Sequence, residues 1–154
     1  MEFLSAPIGS QIQVNGKERF LPRAYLHQPL EQFFEGLRNK KIIGSKCGAC
    51  GRVYLPPRMI CERCFAKTED WVDLPETGSV ETYTEAYVKV GYDGDLEELP
   101  RPEIIAMVKH DNADTCLAAR LDTERAEVGM RVQVVWNDAP EGVLDAISCY
   151  RPLG

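Results

Sequence analysis

Four cysteines are the residues of this chain best placed to do chemistry together. They form two C-x-x-C pairs, Cys47 with Cys50 and Cys61 with Cys64, separated by ten residues. Thiolates at this spacing can converge on one ion, and four of them make the closed tetrahedral site of a structural zinc. We therefore predict one structural zinc ion per chain. Two disulfides are the alternative, and they suit a secreted protein.

Each C-x-x-C pair needs a tight turn to bring its two sulfurs onto one ion. Gly51 follows Cys50, and glycine readily adopts the left-handed conformation that such a turn needs. Phe65 follows Cys64 in the matching position, which leaves the shape of the second turn open. Because four cysteines fill the coordination sphere of zinc, we expect no open position for metal catalysis.

The rest of the chain offers little for catalysis. The two histidines, His27 and His110, stand in no nucleophile–base arrangement, and the sequence has no nucleophile elbow, P-loop or dinucleotide fingerprint. Cys116 and Cys149 lie in strand-like apolar runs, which favours buried inert thiols and leaves a disulfide between them as an alternative. We predict that the chain has no enzymatic activity of its own.

Charge is distributed unevenly along the chain. The net charge is −6, yet residues 38–67 contain eight Lys or Arg against one Glu, a balance of +7. Residues 78–154 contain seven basic and fifteen acidic residues, a balance of −8. The first region should attract anions and the second should repel them, although part of the segregation could serve docking between the two.

Composition predicts a globular protein of the cytoplasm. Hydrophobic residues make up 44% and charged residues 27% of the 154 residues, as in ordinary soluble domains. No run approaches the ~20 apolar residues of a membrane helix. The first residues lack the basic and apolar segments of a signal peptide, and reduced thiols in the cytoplasm would be available to a metal.

The N-terminal part contains two candidate elements. Residues 1–28 form an extension in which Asn15-Gly16 favours a hairpin turn, although a mobile arm is equally compatible with this stretch. Residues 29–41 are predicted as an amphipathic helix, because apolar side chains recur at i, i+3, i+4 and i+7. The stripe would pack on the rest of the protein or bind a partner, and it comprises Leu30, Phe33, Phe34 and Leu37.

The remaining chain is predicted to be mainly β. Residues 42–75 would form the zinc ribbon and residues 76–154 a five-stranded barrel, and this strand count fits an OB-fold. Residues 91–102 are predicted as the longest and most acidic loop of the barrel. The candidate strands are 79–90, 103–109, 115–121, 131–136 and, more weakly, 143–148.

The order of these parts resembles a known family. A helix with paired aromatics (Phe33-Phe34) leads to Cys47-x-x-Cys50-Gly51, then Tyr54-x-Pro56-Pro57-Arg58, Cys61-x-x-Cys64 and a barrel containing Gly129-Met130. The pattern over about residues 29–152 resembles the rubredoxin-like zinc-ribbon and OB-fold proteins catalogued as domain-of-unknown-function family thirty-five. Residues 1–28 lie outside the resemblance, and Phe65 in place of glycine is the clearest departure from it.

The resemblance implies a non-catalytic subunit that binds acyl-CoA. Members of that family accompany thiolase-like enzymes, hydroxymethylglutaryl-CoA synthases, and hydratases or aldolases of steroid breakdown. The CoA phosphates would need cations and its adenine a flat face. We assign the flat face to Tyr54, for which a place in the ribbon core is the alternative, and expect the pantetheine arm between helix, ribbon and barrel. The expected phosphate-binding residues are Lys40, Lys41, Lys46, Arg52 and Arg58.

Nucleic-acid binding is the alternative function. Zinc ribbons and OB-folds both bind nucleic acid in other proteins, but a fold does not establish a function. OB-folds grip single strands with a positive groove, whereas the barrel is here the acidic part and the sequence pI is about 5.0. The sequence therefore favours acyl-CoA over nucleic acid.

Overall fold

The computed structural model of the protein describes residues 11–14, 17–20, 28–91 and 93–154, and within these it is mainly β, as predicted. Five of its strands belong to one barrel. In chain order, the elements are β1 (Gln11–Val14), β2 (Lys17–Phe20), α1 (Gln28–Arg38), β3 (Ile42–Lys46), β4 (Val53–Tyr54), β5 (Asp70–Leu74), β6 (Thr77–Val90), β7 (Leu96–His110), β8 (Cys116–Leu121), β9 (Arg131–Trp136), a 3-10 helix (Val143–Ala146) and β10 (Ile147–Pro152).

The N-terminal extension contains the predicted hairpin strands. β1 and β2 pair antiparallel, with Val14 opposite Lys17. The predicted turn residues Asn15 and Gly16 lie outside the described part of the chain, and so does His27.

The predicted amphipathic helix is α1. Its stripe is buried at Phe33 and Leu37 and packs on the main core, so the packing interpretation is the one observed. The helix ends at Arg38, and Lys40 follows in the left-handed conformation with φ 54°, which caps the helix before residue 41. Within the described residues, no helix is long and apolar enough to cross a membrane.

The ribbon is a small antiparallel sheet in the order β4-β3-β5. Strand β3 is the central strand, with Ser45 opposite Tyr54 on one side and Trp71 on the other. The two C-x-x-C turns follow β3 and precede β5. The sheet therefore fixes where both pairs of cysteines begin.

The second part is a closed barrel in the order β10-β8-β7-β6-β9. Neighbouring strands are antiparallel except β8 and β10, which are parallel where Leu121 lies opposite Tyr150. This is the strand order of a five-stranded Greek-key barrel and confirms the OB-fold prediction. The barrel interior includes Val80, Val108 and Val132.

The prediction of a long acidic loop at 91–102 was wrong. Strands β6 and β7 continue beyond the barrel as a two-stranded arm, residues 86–91 and 93–103, with Val90 opposite Leu96. The alternation that marks a half-buried strand is lost here because both faces of the arm are largely exposed, and Leu96 is 72% exposed. The prolines at 100 and 102 also read as strand breakers.

The weak strand predicted at 143–148 was also misplaced. Val143–Ala146 is a 3-10 helix, and β10 runs over Ile147–Pro152. Ala146 is buried in the main core, so the apolar character of this run comes from a packed helical turn rather than from a strand.

Candidate metal centre and adjoining cleft

The two cysteine turns have the same backbone geometry. In the first, the Gly51 N–H donates to the Cys47 carbonyl at 2.8 Å, and in the second the Phe65 N–H donates to the Cys61 carbonyl at 3.0 Å. The N–H groups of Cys47 and Cys61 are likewise matched, because each donates to a carbonyl five residues ahead at 2.8 Å. The ribbon sheet therefore positions two equivalent cysteine turns, or knuckles, next to each other.

The second cysteine turn has the same left-handed conformation as the first. Gly51 has φ 75° and Phe65 has φ 59°, so a phenylalanine adopts the left-handed conformation that glycine usually occupies. Its side chain is 79% exposed, and packing therefore compensates little for this conformation. The knuckle hydrogen bonds impose the turn on Phe65.

The four sulfurs fit a tetrahedral ion. All lie within 4.8 Å of one another, and the pairs Cys47–Cys64 and Cys50–Cys61 have Sγ···Sγ distances of 3.5 Å. Ligands about 2.3 Å from zinc would be separated by about 3.8 Å, whereas disulfide sulfurs lie about 2.05 Å apart. These cysteines are free thiols, as are Cys116 and Cys149, so neither alternative disulfide is present.

Electrostatics also favours a cation among these sulfurs. A hydrogen bond from Tyr54 lowers the pKa of Cys61 to about 6, and the backbone N–H of Cys50 lowers the pKa of Cys47, whereas burial and the neighbouring sulfurs raise the pKa of Cys50 and Cys64. Several thiolates this close would repel one another without a positive charge between them. With four sulfurs as ligands, a bound zinc has no open position, and it would fold the ribbon rather than catalyse a reaction.

Tyr54 is not available for stacking on adenine. The residue is completely buried in the cysteine cluster. Its ring is packed against the guanidinium carbons of Arg52 and Arg58, which lie 5.7 and 5.5 Å from the ring centroid. The other reading of the sequence, a tyrosine of the ribbon core, describes its position.

The five predicted phosphate-binding cations fall into two groups. Lys40 and Lys41 follow α1, where they form ion pairs with Asp138 at 2.7 Å and Asp73 at 3.8 Å. The second group lies near the knuckles and comprises Lys46, Arg52 and Arg58. The five residue steps from Lys41 to Lys46, along β3, span about 17 Å. Both arginines of this group pair with Glu62, at 3.0 and 2.9 Å.

A clamp between ribbon and barrel was not foreseen from the sequence. The backbone N–H of Val53 donates to the Asp114 carboxylate at 2.8 Å, and the N–H of Leu55 donates to the Thr115 hydroxyl at 2.7 Å. The return bonds run from Asp114 N–H to the Val53 carbonyl and from Thr115 to the Leu55 carbonyl, both at 2.9 Å. The turn between β7 and β8 thereby holds the outer edge of β4.

His110 serves the barrel interior. Its Nδ1 lies 2.7 Å from the Pro75 carbonyl and its Nε2 lies 2.6 Å from the Tyr150 hydroxyl. Both side chains are buried, and burial lowers the pKa of His110 and raises that of Tyr150. No described cysteine, serine or carboxylate side chain is hydrogen-bonded to this ring, so it has no nucleophile to activate.

A cleft of about 420 Å³ lies where α1 ends against the barrel. Its apolar lining includes Leu37, Val143 and Ala146, and its charged lining consists of Arg38, Lys40, Asp138 and Glu141. The Lys40–Asp138 ion pair therefore joins the ribbon side of the cleft to the barrel side. The sequence predicted a groove between helix, ribbon and barrel, but it did not reveal that residues 137–146 line the groove.

Family models and solved structures match this architecture. The rubredoxin-like zinc ribbon domain of ChsH2 matches residues 34–70, and the C-terminal OB-fold domain of ChsH2 matches residues 71–137. A DUF35 family protein of unknown function from Sulfolobus solfataricus is 31% identical, with a TM-score of 0.61 over 84% of this chain and 87% of that one. The Ltp2-ChsH2(DUF35) aldolase structure, at 23% identity and TM-score 0.62 over 84% of this chain and 98% of that one, shares the fold.

Two curated relatives are also similar to this chain in sequence. The DUF35 domain-containing scaffold protein of Methanocaldococcus jannaschii is 31% identical over 73% of this chain and 82% of its own length. A probable enoyl-CoA hydratase alpha subunit of Thermomonospora curvata is 24% identical over 85% of this chain, but only 40% of that protein is matched. The chain therefore belongs to the DUF35 family of zinc-ribbon and OB-fold proteins.

Proposed function

We propose that the protein is a non-catalytic accessory subunit that binds acyl-CoA and completes or bridges a partner enzyme of the thiolase or hydroxymethylglutaryl-CoA synthase type. The observation that carries the proposal is the cleft between α1 and the 137–146 segment. The relatives support it, since one is named a scaffold protein, one an enoyl-CoA hydratase subunit, and a DUF35 chain occurs in an aldolase structure.

The lining of the cleft suits the two ends of an acyl-CoA. A long pantetheine arm needs a narrow and mostly apolar slot, which Leu37, Val143 and Ala146 offer. Phosphates need cations, and Lys40 and Arg38 line the same cleft, where a phosphate would have to compete with Asp138 for Lys40. Lys41 lies next along the chain, so we assign the principal phosphate contacts to this end of the ribbon.

The second group of cations, Lys46, Arg52 and Arg58, would supply further phosphate contacts only if CoA also extends along β3. Arg52 and Arg58 share Glu62 as a partner, so a phosphate would have to compete with that carboxylate. Lys46 has no ion pair with any described residue. A separate double substitution, Lys46→Glu with Arg58→Glu, reports on this group.

Calorimetry with CoA and acetoacetyl-CoA on the zinc-loaded chain tests the proposal. Lys40→Glu with Lys41→Glu should weaken binding about tenfold or more, because two charge-assisted contacts are lost. Gly142→Trp should block the cleft, because Gly142 lines it. The backbone can accept a side chain there, since Gly142 has an extended φ of −146° and the nearest atom to an added Cβ is an Asp145 carboxylate oxygen at 3.5 Å. Thr84→Trp, on an exposed position of β6, is the matched control.

The outcomes distinguish the location of the binding site from the ability of the isolated chain to bind acyl-CoA. Binding that Gly142→Trp leaves unchanged would remove the cleft from the site, and no binding of either CoA or acetoacetyl-CoA by the isolated chain would refute autonomous acyl-CoA binding. A short single-stranded oligonucleotide serves as the competing ligand. Saturable oligonucleotide binding without CoA binding would favour the nucleic-acid alternative, although residues 78–154 carry a balance of −8.

A further inference from the structure

Tyr54 has an unusual hydrogen-bond arrangement for a buried core residue. Its hydroxyl lies 3.1 Å from the Cys61 sulfur and 3.1 Å from the backbone nitrogen of Glu62. The Glu62 N–H is a donor, so the phenolic oxygen accepts there. The single hydroxyl hydrogen is then free to point at the sulfur, and no water competes because Tyr54 and Cys61 are both fully buried.

We infer that Tyr54 is a positioning residue of the metal centre, donating a hydrogen bond to the Cys61 thiolate that binds the ion. This role is independent of acyl-CoA binding. Partners that orient metal ligands through hydrogen bonds change metal affinity by about 10- to 100-fold when they are removed. Here the bond would also fix the second knuckle, because the same oxygen accepts the N–H of Glu62, the residue next to the ligand.

The four ligands are not equivalent in this respect. Cys47 and Cys61 are completely buried, whereas Cys50 and Cys64 are exposed. A buried thiolate cannot be stabilised by water, so it depends on protein donors more than an exposed one does. Tyr54 is the side-chain donor that the described structure offers to Cys61 besides its neighbouring thiols.

Tyr54→Phe removes the hydroxyl and keeps the ring. In the full-length chain, zinc affinity measured by chelator competition should fall about tenfold or more. With Co²⁺ as the probe, the thiolate-to-cobalt absorption band should move to lower energy, because a thiolate that loses a hydrogen bond gives up an electron more easily. A residue that merely filled the core would leave this band in place.

Tyr150→Phe is the matched control. Tyr150 is an equally buried tyrosine whose hydroxyl is hydrogen-bonded to His110 in the barrel, away from the four cysteines of the ribbon. Its substitution should leave zinc affinity and the cobalt band unchanged. Wild-type zinc affinity together with an unmoved band in Tyr54→Phe would overturn the inference.

A second measurement needs no variant, which keeps the inference testable if Tyr54→Phe does not fold. In the wild-type chain loaded with ¹¹³Cd, proton–cadmium correlation should connect the Tyr54 hydroxyl hydrogen to the metal through the Cys61 sulfur. A Tyr54 hydroxyl signal that is seen without a cadmium coupling would overturn the inference, and a coupling would support it.

Discussion

The buried contact between Tyr150 and His110 allows a stability prediction for the barrel. The Pro75 carbonyl can only accept, so Nδ1 of His110 carries the hydrogen and Nε2 is left as an acceptor for the Tyr150 hydroxyl. Tyr150→Phe removes the donor and leaves Nε2 buried without a partner. Such a loss costs about 1–3 kcal/mol of unfolding free energy.

Urea titration of the zinc-loaded chain, followed by tryptophan fluorescence, measures this loss. With a slope of about 1–3 kcal/mol per molar urea, the midpoint should fall by roughly 1 M. The control is Tyr87→Phe, whose hydroxyl lies 2.6 Å from Glu85 on the exposed arm. An exposed substitution of this kind should stay within about 0.5 kcal/mol. Equal effects of the two substitutions would refute the reasoning.

The same contact predicts a pH dependence. Burial lowers the pKa of His110 below its ordinary value, so the unfolded chain takes up a proton at a higher pH than the folded chain does. The stabilising contribution of the neutral ring is therefore complete above about pH 6.5 and is lost as pH falls below it. Urea midpoints measured between pH 7.5 and 5 should decrease, and a flat profile would contradict the lowered pKa of the buried His110.

Three further predictions concern the ribbon and the barrel surface. Cys64→Ser should abolish stoichiometric zinc and unfold the ribbon while the barrel persists, seen as loss of ribbon amide signals alone; zinc retention would contradict it. Phe65→Gly should raise the midpoint of ribbon unfolding slightly, since the conformation costs phenylalanine about 1–2 kcal/mol and glycine loses part of that gain in entropy; a lower midpoint would show that Phe65 packs. Arg131 holds the pKa of Asp111 at about 2 through a bidentate contact at 2.6 and 2.7 Å. Arg131→Gln should therefore raise the pKa of Asp111 toward 3.9, measured by NMR titration. In the wild-type chain, the stability that this pair contributes is lost as pH falls from about 4 through 2.

Local patterns in the sequence were enough to predict the ribbon and the helix. The spacing of the cysteines identifies the metal centre because each C-x-x-C turn is a short-range structure. The stripe that contains Phe33 and Leu37 likewise identifies α1 and its buried face. These features depend on residues that are close together in the chain.

Features that depend on distant residues could not be predicted in the same way. Lys40 and Asp138 are 98 positions apart, so the cleft between them emerges only from the fold. The role of Tyr54 was assigned to adenine because a sequence does not reveal that the ring is buried. The arm was read as a loop because strands exposed on both faces carry no alternating pattern.

The arm also bears on edge-to-edge association between copies of the chain. Strand β8 pairs with β7 only over residues 104–109, so within the described part of the chain the β7 edge has no neighbouring strand over residues 96–103. An unpaired edge of this kind is a template for the backbone of another molecule. Pro100 and Pro102 have no N–H to offer along that edge, and acidic residues lie on both sides of them. The prolines that made this strand resemble a loop in the sequence thus protect it from edge-to-edge aggregation.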